Sequence, residues 1–220
     1  MRLLLIRHGQ TPANVRGELA TARPGPGLTE LGIQQAAGVV HALTGERIDA
    51  VYASPLLRTA LTAAPLAEAH GLTVQVMEGL EEIEAGTLED RSDMPSVMTY
   101  VKTAFGWTEG ALDGRIPGSI DGHEFFARFD GAVSTIFDAH PDGTVAAFSH
   151  GAAIRVWAVT RGANLRAEAP FIRHLDNTGV VVVTGSPTAG WSVETWEGEP
   201  VGGEELADPH APDPTGDAES

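Results

Sequence analysis

Three short runs of the chain gather side chains that can bind an anion and attack an electrophile: Arg7-His8-Gly9-Gln10-Thr11, Ser54-Pro55-Leu56-Leu57-Arg58 and Ser149-His150-Gly151. Arginine presents planar, permanently charged donors that suit oxyanions. Histidine, with a reference pKa of about 6.5, can act as nucleophile or proton carrier near neutrality. Gly9 permits close backbone approach, and Gln10, Thr11 and Asn14 add neutral hydrogen bonds. The chain has no cysteine, which removes disulfides, thiol nucleophiles, zinc-thiolate sites and iron–sulfur clusters together. His41, His70, His123, His140, His174 and His210 show no metal-ligand spacing. His123-Glu124, for instance, is not followed by the second histidine of H-E-x-x-H, so those six read as surface or core residues. No metal and no other cofactor is expected.

These runs do chemistry only if the fold delivers them to one place. Arg2 to Ile6 is a continuous apolar run, as in a strand covered on both faces. Short β-rich runs follow at Ala50 to Ala53, Thr73 to Val76, Thr144 to Phe148 and Val180 to Thr184, with Ser192 to Trp196 as an edge strand. Between them lie helical patterns. Thr29 can cap a helix whose Ile33, Ala36, Ala37, Val40 and Leu43 share a face, and Ser54-Pro55 reads as a cap followed by proline at the first helical position, with a helix to about Ala69. Phe125 to Ala139 and Gly151 to Thr160 also read as helices. The alternation predicts one α/β domain with a mostly parallel sheet, whose ligands sit beyond the carboxyl ends of the strands. Each reactive run directly follows a predicted strand. Arg58 lies in the first turn of its helix and Gly151 opens another, so helix N–H groups converge on the same edge. The predicted site is an anion site, and a phosphoryl group fits it best.

The blocks L-I-R-H-G-Q-T-P-A-N, G-L-T-E-L-G-I-Q-Q-A (Gly27 to Ala36), Y-A-S-P-L-L-R-T (Tyr52 to Thr59), L-E-E-I-E-A-G (Leu80 to Gly86) and F-S-H-G (Phe148 to Gly151) resemble, in order and spacing, the histidine phosphatase superfamily, which includes cofactor-dependent phosphoglycerate mutases. The resemblance spans roughly Arg2 to Thr184. It implies a three-layer phosphoglycerate mutase-like α/β domain with a mostly parallel central sheet. It also implies a mechanism, in which His8 is the nucleophile that becomes phosphohistidine while Arg7, Arg58 and His150 hold the phosphoryl oxygens. A carboxylic acid must protonate the leaving oxygen. Spacing alone leaves Glu81, Glu82 and Glu84 in competition; the family block places the role on Glu82. Gln10, Thr11, Asn14 and Gly151 complete the expected phosphate and substrate contacts.

The chain departs from the family in three places. The loop Val15 to Pro26 lacks the usual glutamine-glycine and aspartate-rich turn, Leu88 stands where many relatives have an aromatic, and Arg91 to Gly122 matches no family block. That last segment is expected to cover the site and set substrate choice. It lacks the paired arginines with which mutases grip a substrate carboxylate, which favours a phosphomonoesterase acting on a small phosphorylated metabolite over a mutase. Two other classes remain: a non-catalytic phosphate-binding protein on the same scaffold, and a serine hydrolase, because Ala147-Phe148-Ser149-His150-Gly151 imitates a nucleophile elbow, with Ser149 as nucleophile and Asp176 and a later histidine as partners.

The net charge of −16 argues against nucleic acid as a partner. Half of that charge comes from eight acids in residues 197–220, a stretch with no Lys or Arg. Its few apolar residues, such as Val201 and Leu206, return about 1.5–3 kcal/mol each, against roughly 1–2 kcal/mol of backbone entropy for every residue ordered. Residues 1–196 are therefore expected to form the domain, and 197–220 a disordered or loosely docked acidic tail that can be removed. No apolar run approaches the ~18 residues of a membrane span, and the start shows no signal-peptide pattern, so no membrane partner and a cytoplasmic location are expected. A homodimer is compatible with the sequence.

Overall fold

The computed structural model of the chain describes residues 1–165 and 173–216. Six strands form one sheet in the order β3-β2-β4-β1-β5-β6: β1 (Arg2–Arg7), β2 (Ala50–Ala53), β3 (Val74–Val76), β4 (Thr144–Ser149), β5 (Val180–Ser186) and β6 (Gly190–Glu197). β1 to β4 are mutually parallel, and β5 and β6 add an antiparallel hairpin at one edge. Each expected strand is present within two residues at either end. Alternation along the strands feeds two separate cores. Leu4 and Ile6 of β1 and Ala146 and Phe148 of β4 pack on one side with Val39, Ala63 and Leu66, which lie on α2 (Glu30–Leu43) and α3 (Leu57–Ala69). Leu3, Leu5, Val145 and Ala147 face the other side, with Tyr100, Phe129, Ile136 and Trp157. Those come from α4 (Met94–Gly106), α5 (Gly122–Ala139) and α6 (Gly151–Arg161). The result is the three-layer α/β arrangement expected.

Helix starts follow capping chemistry, with one correction. The Gly32 N–H donates to Thr29 Oγ1 at 3.0 Å, which makes Thr29 the cap of α2 as expected. α5 starts three residues before the apolar pattern because Asp121 and Glu124 form a capping box. α3, however, begins after Leu56, which has no side-chain cap, and Ser54-Pro55 lies ahead of the helix. The Ser54 hydroxyl is taken by His150, 2.7 Å away. A short α1 (Pro12–Arg16), capped by Thr11 and Asn14, and α4 were not expected.

Candidate active site

Parallel registry brings the three reactive runs together. Arg7 at the end of β1 lies opposite Ser149 at the end of β4. The His8 N–H donates to the Ser149 carbonyl at 3.1 Å, and the Ser54 N–H to the Phe148 carbonyl at 3.0 Å. The backbone thus ties His8, Ser54 and His150 to one sheet edge before any side chain acts. The first turn of α2 closes over Gly9, where a Cβ would lie 2.7 Å from the Gly32 carbonyl oxygen. Only glycine fits there.

The ring nitrogens of both histidines are assigned by their partners. His8 Nδ1 lies 2.8 Å from its neighbour's carbonyl, Gly9 O, which can only accept, so Nδ1 carries the proton and Nε2 keeps its lone pair. His150 Nδ1 lies 3.0 Å from Arg58 Nη2, which can only donate, so the His150 proton sits on Nε2 and points to Ser54 Oγ. His150 therefore bears on the site by holding Arg58. Burial first, then the charges of Arg58 and Arg7, push His8 well below the usual histidine range, and burial and Arg58 do the same to His150. Both rings, 5.2 Å apart, are neutral at pH 7. Burial also pulls Arg58 down to about 10, which leaves it charged.

Three consecutive-region carboxylates competed for the acid's place, and only one reaches it. Glu81 pairs with Arg23 and accepts the Gly79 N–H. Glu84 pairs with Arg128 at 3.1 Å and is half exposed. Glu82 is 3% exposed and lines the cavity beside His8. Its oxygens accept the N–H groups of Ala152 (3.2 Å), Ala153 (2.8 Å) and Ile83 (2.9 Å). Burial nevertheless outweighs these donors and the nearby arginines, and raises Glu82 above the usual carboxylate range. The site thus pairs a neutral nucleophile with a carboxyl that holds its proton to higher pH than usual.

The donors gathered here have the chemistry to hold a phosphoryl group. Arg7 is fully buried and Arg58 is 3% exposed, yet Arg7 Nε and Arg58 Nη1 have no hydrogen-bond partner among the described residues. Buried N–H groups are rarely left so; Arg128 Nε, on the arginine that grips the acid's loop, is a third, and the two that lie with His8 suit an anion. The cavity beside His8 and Arg58, about 20 Å³, is walled by His8, Thr11, Asn14, Arg58, Glu82 and Thr215, among others, with Arg7 outside its wall. Thr11 and Asn14 thus lie where expected, held by their mutual capping bonds. Gly151 opens α6, where a Cβ would lie 2.7 Å from Thr215 O. Gln10 does not line this cavity: its amide donates to Asp208 at 2.9 Å and accepts from Thr29 at 2.8 Å.

Two expectations need correction. Arg91 to Gly122 contributes nothing to the cavity wall; it braces the acid's loop from behind, with Tyr100 Oη donating to Ile83 O at 2.8 Å. Ser149 is no nucleophile, since its buried hydroxyl donates to the Leu80 carbonyl at 2.7 Å while the neighbouring histidine faces Ser54 and Arg58. Asp176 pairs instead with His174, at 3.1 Å. His174, Asp176 and Glu199 bring ligand-type atoms within 4.8 Å of one another, the one such group among the described residues.

Several residues that bear on the site have no counterpart among the expected ones. Ser54 orients His150. Glu89 accepts the Thr21 and Ala22 N–H groups at 2.7 and 2.8 Å and so fixes the unusual loop before α2. Arg128 donates to the Glu81 and Glu82 carbonyls, both at 3.0 Å. Asp213 lies on Arg7 at 2.5 Å. Arginine and aspartate at those positions carry no local signal; only tertiary contact gives them meaning.

With this geometry in view, likeness to known proteins is informative. The chain is 39% identical over 215 residues to PE-PGRS family protein PE_PGRS11 of Mycobacterium tuberculosis, an alignment covering 90% of this chain but 36% of that protein. The chain thus spans about a third of that relative's length. It is 32% identical over 157 residues to the probable phosphoglycerate mutase GpmB of Yersinia pestis, covering 70% of this chain and 71% of the relative. Among solved structures, a mycobacterial glucosyl-3-phosphoglycerate phosphatase superposes with TM-score 0.71 at 22% identity, covering 89% of this chain and 98% of that one. Phosphoserine phosphatase from Entamoeba histolytica gives 0.67 at 23%, covering 96% and 98%. At these identities the two structures speak for the fold alone. Residues 3–198 match the family directly, and the chain belongs to the histidine phosphatase superfamily, branch 1.

Proposed function

We propose that the protein is a phosphomonoesterase that hydrolyses a small phosphorylated metabolite through a phosphohistidine on His8, without a metal ion. The observation that carries this reading is the pair of unpartnered, buried guanidinium N–H groups, Arg7 Nε and Arg58 Nη1, beside a histidine whose Nε2 lone pair is left for attack. His8 Nε2 forms the bond to phosphorus as the ester P–O bond breaks. Glu82 gives its proton to the leaving oxygen. Water then attacks phosphorus, the P–N bond breaks, Glu82 takes a proton from that water, and inorganic phosphate leaves. The two arginines offset the charge on the transferring group, which is most of what catalysis of this step requires.

The test is a screen of purified protein over phosphorylated metabolites that counts both released phosphate and isomerised product. Glucosyl-3-phosphoglycerate and phosphoserine, named for the solved relatives, head the panel. Phosphate release that survives EDTA within about twofold is expected. The relative called a probable phosphoglycerate mutase keeps a second reading in play. Rapid conversion of 3-phosphoglycerate to 2-phosphoglycerate in the presence of bisphosphoglycerate, with little free phosphate, would favour transfer over hydrolysis.

Arg128 gives a further check on the acid's loop. It grips the carbonyls of Glu81 and Glu82 and the carboxylate of Glu84. Arg128→Ala is expected to cost about tenfold or more in kcat on alkyl phosphates and much less on p-nitrophenyl phosphate, whose leaving group needs little protonation. Equal loss on both substrates would mean that Arg128 supports the fold and does not position the acid.

A further inference from the structure

The phosphoryl site is covered by the chain's own acidic segment. Arg7 Nη2 meets Asp213 Oδ2 at 2.5 Å and donates to Thr215 Oγ1 at 3.1 Å, while Nη1 donates to the Leu175 carbonyl at 2.8 Å. Asn14, a wall of the His8 cavity, reaches the other Asp213 oxygen at 3.4 Å. Downstream and upstream contacts hold the segment in place: Arg155 donates to Thr215 O at 2.8 Å, Leu175 N–H to Gly216 O at 3.0 Å, Gln10 to Asp208 at 2.9 Å and Gln35 to Leu206 O at 2.8 Å.

We propose that residues 207–216 act as an internal inhibitor, in which the Asp213 carboxylate binds Arg7 in competition with the phosphoryl oxygens of a substrate and must leave before catalysis. This rests on the phosphatase reading of the site. Three observations converge on it. The cavity beside His8, with Thr215 in its wall, is about 20 Å³, on the scale of a single water molecule and too small for a phosphoryl group carrying its ester oxygen. His8 itself is 3% exposed. The carboxylate also neutralises the guanidinium that a phosphate dianion would need, and two anions on one arginine repel each other. The segment is suited to release, because its contacts are polar and its large apolar residues few. Pro209, Pro212 and Pro214 limit the conformations it can adopt, so docking costs it less entropy than its composition suggests.

An internal ligand docked about nine-tenths of the time weakens apparent affinity about tenfold. In the full chain, Asp213→Ala is expected to lower KM for p-nitrophenyl phosphate and Kd for inorganic phosphate, measured by calorimetry, by a common factor of about ten, with kcat unchanged or higher. Asp213→Asn, which removes the charge but keeps the shape, covers the case in which the alanine variant misfolds, and should move both constants in the same direction. Unchanged or weaker phosphate binding in a folded Asp213→Asn protein would overturn the proposal and assign Asp213 to holding Arg7 in its working pose. If phosphate binds the wild type and p-nitrophenyl phosphate is turned over, such a result leaves the phosphatase reading standing; if neither occurs in any variant, both fall.

Discussion

His8→Ala is expected to abolish turnover, by about 10⁴-fold or more, on every substrate the protein accepts, because the nucleophile and the covalent intermediate disappear together. No neighbouring group is placed to substitute. His150 is committed through both ring nitrogens to Ser54 and Arg58, and Ser149 to the Leu80 carbonyl. Wild-type protein quenched during turnover of a labelled phosphate ester should carry an acid-labile phosphoryl group, and His8→Ala should carry none. The binding apparatus should survive the substitution, since Arg7 is held by the Leu175 carbonyl and Arg58 by Ala20 and His150, and neither by His8. Inorganic phosphate should therefore still bind, which separates loss of chemistry from loss of the site. Activity near the wild-type level in His8→Ala would remove the phosphohistidine mechanism altogether.

Sequence and structure agree where information is local and part where it is not. β1 is legible because a strand buried on both faces must be apolar throughout, and Thr29 because a cap acts three residues away. The convergence of Arg7, Arg58 and His150 is legible because parallel strands put their carboxyl ends on one edge. The start of α3 was misread because the Ser54 hydroxyl answers to His150, 96 residues distant, and no capping rule contains that contact. α4 carried usable signals, with Asp93 accepting the Ser96 N–H at 3.2 Å and Pro95 in the first turn, but an apolar pattern mixed with threonines masked them. The acidic end of the chain exposes a deeper gap. Entropy against apolar burial is the right comparison for a polar segment with no specific partner, yet Arg7, fully buried, leaves an uncompensated charge that an acid can satisfy. Composition counts the eight acids and cannot see that one of them meets a buried arginine.

Glu82→Gln is expected to lose about 10²–10⁴-fold in kcat/KM on alkyl phosphates, the usual worth of proton transfer to a poor leaving group, and far less in the phosphorylation step with p-nitrophenyl phosphate. Water attack on the phosphohistidine needs the same carboxylate as a base, so labelled phosphoenzyme should accumulate in the variant. The pH profile gives an independent reading. His8 must be neutral and Glu82 protonated for the first step; because burial and the arginines depress His8 and burial raises Glu82, the rising limb on alkyl phosphates should lie below the usual histidine range and the falling limb above the usual carboxylate range. The falling limb should vanish in the variant. A carboxyl whose pKa is raised on folding binds more protons folded than unfolded, so its contribution falls as pH climbs from the unfolded to the folded pKa and stays low above. Glu82→Gln keeps one oxygen to accept the Ala153 and Ile83 N–H groups, and a cooperative melt measured alongside activity separates lost turnover from unfolding. If Glu84→Gln gave the leaving-group dependence and the trapped phosphoenzyme while Glu82→Gln did not, the carboxylate now paired with Arg128 would have to swing into the site, and the acid would be Glu84.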